Sequence, residues 1–188
     1  MKKHGTILLV VLAVLALGGC NLYNGLVDKS EGADKAWSDI NAMLLRRADL
    51  VPNLVNAVKG YASHEKEIFE NVAEARSKLL GAKTPAEAAE ADAALSGVLG
   101  RLLAIAEAYP ELKANENFLK FQDELAGTEN RIAVARTDYN AMVKDYNASI
   151  RRLPASLIAG PLGFEKKDYF EPPAGEAAVQ QVPSVSFQ

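Results

Sequence analysis

Apolar residues recur along this chain at alternating spacings of three and four, the period of one face of an α-helix. The first such stripe runs Ala33, Trp37, Ile40 and Leu44, then Val51, Leu54, Val55 and Val58. Pro52 interrupts it, and proline both removes a backbone donor and crowds the carbonyl four residues earlier. The pattern therefore predicts two roughly collinear helical segments, 28–51 and 52–80. Asp49 stands where it would cap the second, with the proline in its first turn. That second segment carries Val58, Tyr61, Ile68, Val72 and Leu79 on one face. Residues 81–85 break the chain. Thr84-Pro85 then reads as an N-cap followed by proline at the first helical position. The helix it starts is expected to reach about residue 108, with Leu95, Val98, Leu99, Leu102 and Ile105 facing inward, and Tyr109-Pro110 ends it. The last stripe is the longest. From Asn117 it follows heptad steps through Phe118, Phe121, Leu125, Thr128, Ile132, Ala135, Tyr139, Met142, Tyr146, Ser149 and Leu153, and Pro154 stops it. So sustained a stripe predicts coiled-coil-like packing against neighbouring helices. Abundant alanine and few β-branched runs in the middle of the chain complete an all-α reading.

The two ends depart from this pattern. After the basic residues Lys2 and Lys3 comes an apolar run over 7–17 that ends in Leu17-Gly18-Gly19-Cys20. This is the layout of a secretory leader with small residues before its cleavage point. Leu-Gly-Gly-Cys resembles the bacterial lipobox, whose cysteine is acylated and becomes the new N-terminus. A membrane span needs about 20 predominantly apolar residues, and the run here suits a leader better. An uncleaved single-pass anchor over 5–22 is the alternative. Each buried acyl methylene contributes ~0.8 kcal/mol, so several chains on Cys20 would hold the protein firmly. Asn21 after the cysteine points to the outer membrane more than to the inner cell membrane. At the other end, Pro161, Pro172, Pro173 and Pro183 exclude regular helix from the tail. Its aromatics Phe164, Tyr169 and Phe170 are expected to dock on the helices, with disorder beyond Pro172. The expected organisation is thus a leader (1–19), a lipid-anchored tether (20–27), a helical domain (28–153) and the tail (154–188).

Charge narrows the partners. Losing Lys2 and Lys3 with the leader would take the net charge from −3 to −5. A mildly acidic domain without a basic stripe is a poor candidate for nucleic-acid binding, and no nucleic-acid partner is expected. Cys20 is the only cysteine, so acylation leaves no thiol for a disulfide, a metal or a nucleophile.

Catalytic chemistry finds little support. His64-Glu65 begins the H-E-x-x-H zinc motif, but the second histidine position holds Ile68. Di-iron bundles need Glu-x-x-His pairs on two helices, whereas Tyr61 precedes His64 by three and no other histidine follows the leader. No metal, cofactor or serine triad is expected. Two carboxylates suffice for some hydrolases, and Glu107 and Glu129 are the candidates. Asn147-Ala148-Ser149 fits a glycosylation sequon, read as coincidence in a bacterial chain. There remains a cluster of polar residues near the apolar stripes: Arg46, Arg47, Asp49, Pro52, Asn53, Glu107, Asn115, Glu129, Asn130, Arg131 and Arg136, with Arg76 and Asn140 beside it. Such residues either satisfy helix ends and set helix register or form a groove for a partner. Within the cluster, Asp49, Pro52 and Asn53 stand out, because a broken helix frees backbone groups for a ligand.

Several of these blocks resemble the LemA family. They are Leu45-Arg46-Arg47-Ala48-Asp49-Leu50-Val51-Pro52-Asn53-Leu54-Val55 with Val58-Lys59-Gly60-Tyr61-Ala62-Ser63-His64-Glu65, then Glu107-Ala108-Tyr109-Pro110-Glu111-Leu112-Lys113-Ala114-Asn115 and Thr128-Glu129-Asn130-Arg131-Ile132-Ala133. Arg136, Tyr139-Asn140, Tyr146-Asn147, Gly163-Phe164 and Tyr169-Phe170 continue it. The resemblance implies an antiparallel, four-helix-bundle-like array of long helices behind an N-terminal membrane anchor. It implies no enzymatic activity, and links to membrane organisation, including magnetosome formation, and to the neighbourhood of membrane proteases. Many such proteins carry a plain transmembrane anchor, so the lipobox is a departure. The expected role is a membrane-anchored scaffold or adaptor that binds another envelope protein. A carboxylate-based hydrolase or binder of cell-wall material, and a membrane-remodelling protein acting by self-assembly, are the alternatives.

Overall fold

The computed structural model describes residues 2–62 and 64–171, with the side chains of 2–17 outside that description. The apolar leader run and the tail beyond Pro172 therefore fall wholly or partly outside the described residues. Those described form helix and irregular chain with no strand: α1 (Lys2–Lys59), α2 (Lys66–Gly81), α3 (Pro85–Ala106), the short α4 (Pro110–Lys113), α5 (Glu116–Ser149) and a 3-10 turn at Ala155–Leu157. Among the described residues no helix is long and apolar enough to cross a membrane.

Helix α1 differs from its expectation in both directions. Residues 21–27, read as a tether, are helical, and Leu26 is buried. At the other end the helix passes through Pro52 without stopping. Its buried residues Leu26, Ala33, Ile40, Leu44, Ala48, Val51, Leu54 and Val58 keep one face inward across the proline. The break comes instead at residues 60–65. There Tyr61 and Ala62 both donate to the Val58 carbonyl, and Glu65 donates to that of Ala62. Glycine at 60 costs a helix about 1 kcal/mol relative to alanine, and no interior apolar residue follows until Ala62 and Ile68. Tyr61, expected on the inner face, is exposed.

Helix α3 starts where Thr84-Pro85 places it, with a full capping box: Glu87 N–H donates to Thr84 Oγ1 at 3.2 Å, and the Glu87 carboxylate accepts from Thr84 N–H at 3.3 Å. Helix α5 ends at Ser149, four residues before Leu153. Its inner face follows the expected stripe through Phe118, Leu125, Thr128, Ile132, Tyr139 and Tyr146, but between the two tyrosines Val143 is buried in place of Met142, and Met142 and Leu153 are exposed. A straight helix drifts about 20° per heptad against a strict seven-residue repeat. After Tyr139 a four-residue step to Val143 restores the face.

The chain divides into two compact units, and α1 and α5 each contribute to both. One comprises the residues up to Ser38 with Thr137–Lys167, and the other comprises Asp39–Arg136 with the chain from Asp168. In the first, Leu26, Ala155 and Ala159 form a small apolar core, with Leu22, Ile150 and Phe164 packed on it. The second holds α2, α3 and α4 and most of the buried leucine and valine.

Candidate functional site

Arg47 is the most deeply buried charge of the polar cluster, its side chain only 6 % exposed. It sits between Leu44, Ala48 and Val51 on the inner face of α1, so its guanidinium must find partners inside the unit. One amino group reaches Asp92 of α3 at 2.5 Å and Glu129 of α5 at 2.6 Å. The other donates to Ser96 Oγ at 2.9 Å, and that hydroxyl donates back to the Asp92 carbonyl at 2.9 Å. The result is a tie among three helices. Asp92 is also buried, and burial pushes its carboxyl above the ordinary aspartate range. Arg47 pulls it back, Glu129 adds to the rise, and Arg136 opposes it. Among the described residues, Arg47 Nε has no acceptor.

The Pro52 region is also satisfied from within. Proline at 52 leaves the carbonyl of Ala48 without its helical donor. Arg76 of α2 supplies one: its Nε donates to Ala48 O at 2.7 Å, and its guanidinium lies 3.6 Å from Asp49. Asp49 caps no restarted helix; it is exposed at the rim of this contact. The proline and Arg76 thus form one device, a helix interruption filled by a neighbouring helix. Arg76→Ala is expected to cost about 1–3 kcal/mol, since the carbonyl of the buried Ala48 loses its partner. In a Pro52→Ala background the restored N–H serves that carbonyl, so the same change should cost much less. Chemical denaturation of the four proteins reads that coupling.

The remaining candidates separate. Asn115 caps α5, accepting from Asn117 N–H at 3.0 Å and Phe118 N–H at 3.2 Å. Glu107 pairs with Lys113 at 2.5 Å, while Glu129 is held by Arg47, so each carboxylate of the proposed hydrolytic pair has its own cation. Asn53 and Asn130 are exposed. His64 is exposed, and no cluster of potential metal ligands occurs among the described residues. Asn147 of the sequon is buried at 1 % exposure and bound to backbone, which closes it to modification.

Arg46 and Arg131 do come together. They line an open groove of about 620 Å³ along the outer face of α5 with Glu116, Leu119, Lys120 and Asp123. Gly127 lies on the same groove. A side chain built there would meet only the Arg131 guanidinium, at 3.9 Å. Local packing therefore does not demand glycine, and its absence of side chain opens the floor.

Sequence reasoning missed Asp92 and Ser96. The signal was present: Asp92 occupies an inward position of its stripe, between Ala88 and Leu95. A carboxylate there predicts a buried cationic partner.

Fold and site together define an all-helical protein whose interior charges serve as ties between helices. The chain belongs to the LemA family: the family's sequence profile matches residues 36–187. It is 30% identical to Magnetosome protein MamQ 2 of Paramagnetospirillum magneticum over 205 residues, covering 94% of this chain and 75% of that one. It is likewise 30% identical to Magnetosome protein MamQ of Magnetospirillum gryphiswaldense over 184 residues, 84% of this chain and 68% of the relative. Protein LemA of Metamycoplasma hominis is 26% identical over 149 residues, 79% and 68% of the two chains. None of these relatives bears the name of an enzyme.

Proposed function

We propose that this protein is a membrane-anchored, non-catalytic adaptor of the cell envelope, which binds a protein partner along the outer groove of α5. The observation that carries this reading is the use made of the polar cluster. Arg47, Arg76, Asn115 and Glu129 are spent on holding helices, whereas Arg46 and Arg131 line an open groove that a partner can reach. Its alternating charges and half-exposed Leu119 suit a helix that carries its own acidic and basic residues. Relatives named for a cell structure, and none for a reaction, support an assembly role. The anchor is the acylated Cys20, which is exposed on α1. Intact mass of membrane-extracted protein should show residues 1–19 removed and acyl chains gained, and Cys20→Ala should show neither. A full, unmodified start would make the anchor a single spanning helix.

The adaptor role is tested with a photo-crosslinking residue at Leu119 in intact cells. A defined envelope protein should be captured. Gly127→Leu should fill the groove and abolish the capture while leaving folding stability unchanged or higher, because glycine weakens helix interiors. Recovery of no protein partner would remove the main support for this reading.

A further inference from the structure

Leucines in the segment after α5 stay outside the apolar core that the segment itself helps to build. Ala155 and Ala159 are buried against Leu26, and Phe164 packs on the same core and meets the Tyr23 ring edge-on at 5.7 Å. In the same segment Leu153, Leu157 and Leu162 are 76 %, 70 % and 50 % exposed. Arg151, Arg152 and Lys166 flank these leucines and are exposed too, with Glu165 the one carboxylate from 150 to 166. The segment is therefore an apolar prow edged with positive charge.

Its place along α1 says what covers it. Leu22 and Tyr23, which the segment touches, lie two and three residues past Cys20. At 1.5 Å rise per residue this is less than about 5 Å along the helix axis. Acylation of Cys20 would put that turn at the bilayer surface. A spanning helix over 5–22 would end at the same turn. We infer that residues 153–162 form a membrane-contact wedge: Leu153, Leu157 and Leu162 enter the headgroup–acyl boundary, and Arg151, Arg152 and Lys166 meet anionic lipid phosphates. Shallow insertion of apolar side chains beside basic ones is how interfacial segments bind. Such a wedge would fix the tilt of α1 against the bilayer, which a flexible lipid anchor alone does not do.

This inference rests on the anchored reading, and one experiment separates the two. The full chain, purified with its anchor, is reconstituted in vesicles of phosphatidylethanolamine and phosphatidylglycerol, with or without brominated acyl chains. Trp37→Phe removes the single tryptophan. Leu157→Trp then reports the wedge, and Val134→Trp, at a site 63 % exposed in the other unit, is the control. Flotation reads anchoring. The expected result is a roughly twofold loss of emission from the wedge reporter on bromination, because a side chain at the headgroup–acyl boundary touches brominated chains, with the control reporter unaffected. Protein that floats with the vesicles while the wedge reporter is quenched no more than the control would overturn the wedge and leave the anchor standing. A blue shift that grows with protein-to-lipid ratio without quenching would make the occupant a second copy of this chain, and would also overturn it. Protein that does not float would refute the anchored reading, and the wedge with it.

Discussion

Arg47→Ala is expected to lower folding stability by about 3–5 kcal/mol, the cost of removing one member of a buried ion pair. The loss comes from what is left behind. Asp92 would stay buried near Glu129 without its cation, and Ser96 would lose its donor. Because the pair is itself expensive to bury, and Arg47 Nε has no acceptor among the described residues, an apolar replacement should behave differently. Arg47→Met combined with Asp92→Leu is expected to recover most of the loss, since hydrophobic substitutes for buried ion pairs are neutral or stabilising. Urea denaturation of the three proteins measures both statements. A double variant no better than Arg47→Ala would show that the tie adds net stability through its geometry.

The pH dependence of the same variant has a definite sign. Burial holds the folded-state pKa of Asp92 above its unfolded value. Between those values the folded state binds more protons, so this group's contribution falls as pH rises. Removing Arg47 removes an influence that lowers that pKa, and the window widens upward. The stability deficit of Arg47→Ala should therefore grow from acid towards neutral pH. Adding Asp92→Asn should flatten it. A deficit independent of pH would mean that Asp92 does not titrate in this range.

The second large effect is expected at Asn147, in the unit that holds the N-terminal part of α1. Its amide closes two bonds with one backbone unit: Nδ2 donates to the Lys167 carbonyl and Lys167 N–H donates to Oδ1, both at 2.9 Å. Tyr146 beside it donates to the Glu165 carbonyl at 2.8 Å. Lys167 adds an ion pair to Asp34 at 2.7 Å, but that carboxylate is exposed and the pair contributes little. Asn147→Ala would strip two backbone groups of their partners at once. An unsatisfied buried group costs about 1–3 kcal/mol, and Lys167 is only half-buried, so a loss of about 2–4 kcal/mol is expected. Hydrogen exchange should localise it, with amides near Lys167 exchanging far faster and those of α2 and α3 nearly unchanged. Uniform acceleration would mean that this clamp stabilises the whole chain.

Both sites were half-visible in the sequence. Arg47 and Glu129 stood out as charges near an apolar stripe, and Tyr146-Asn147 as part of a family block, yet neither showed its partner. Asp92 is 45 residues from Arg47, and Lys167 is 20 from Asn147. Periodicity reports which face of a helix a residue occupies and carries no information about the residue opposite. Local chemistry was more legible. The Thr84-Pro85 start follows from the two residues themselves and from Glu87, which lie within one turn.

The sequence by itself determined that the chain is helical and belongs to the LemA family, because these rest on repeats and blocks local to the chain. It also placed the start of α3, through capping groups that satisfy their own neighbours. Tertiary structure decided what Pro52 does. A proline breaks a helix when its orphaned carbonyl faces nothing, and here Arg76 from another helix donates to that carbonyl. It likewise decided that Arg47 ties three helices together. In both cases the outcome depends on a group distant in sequence and near in space.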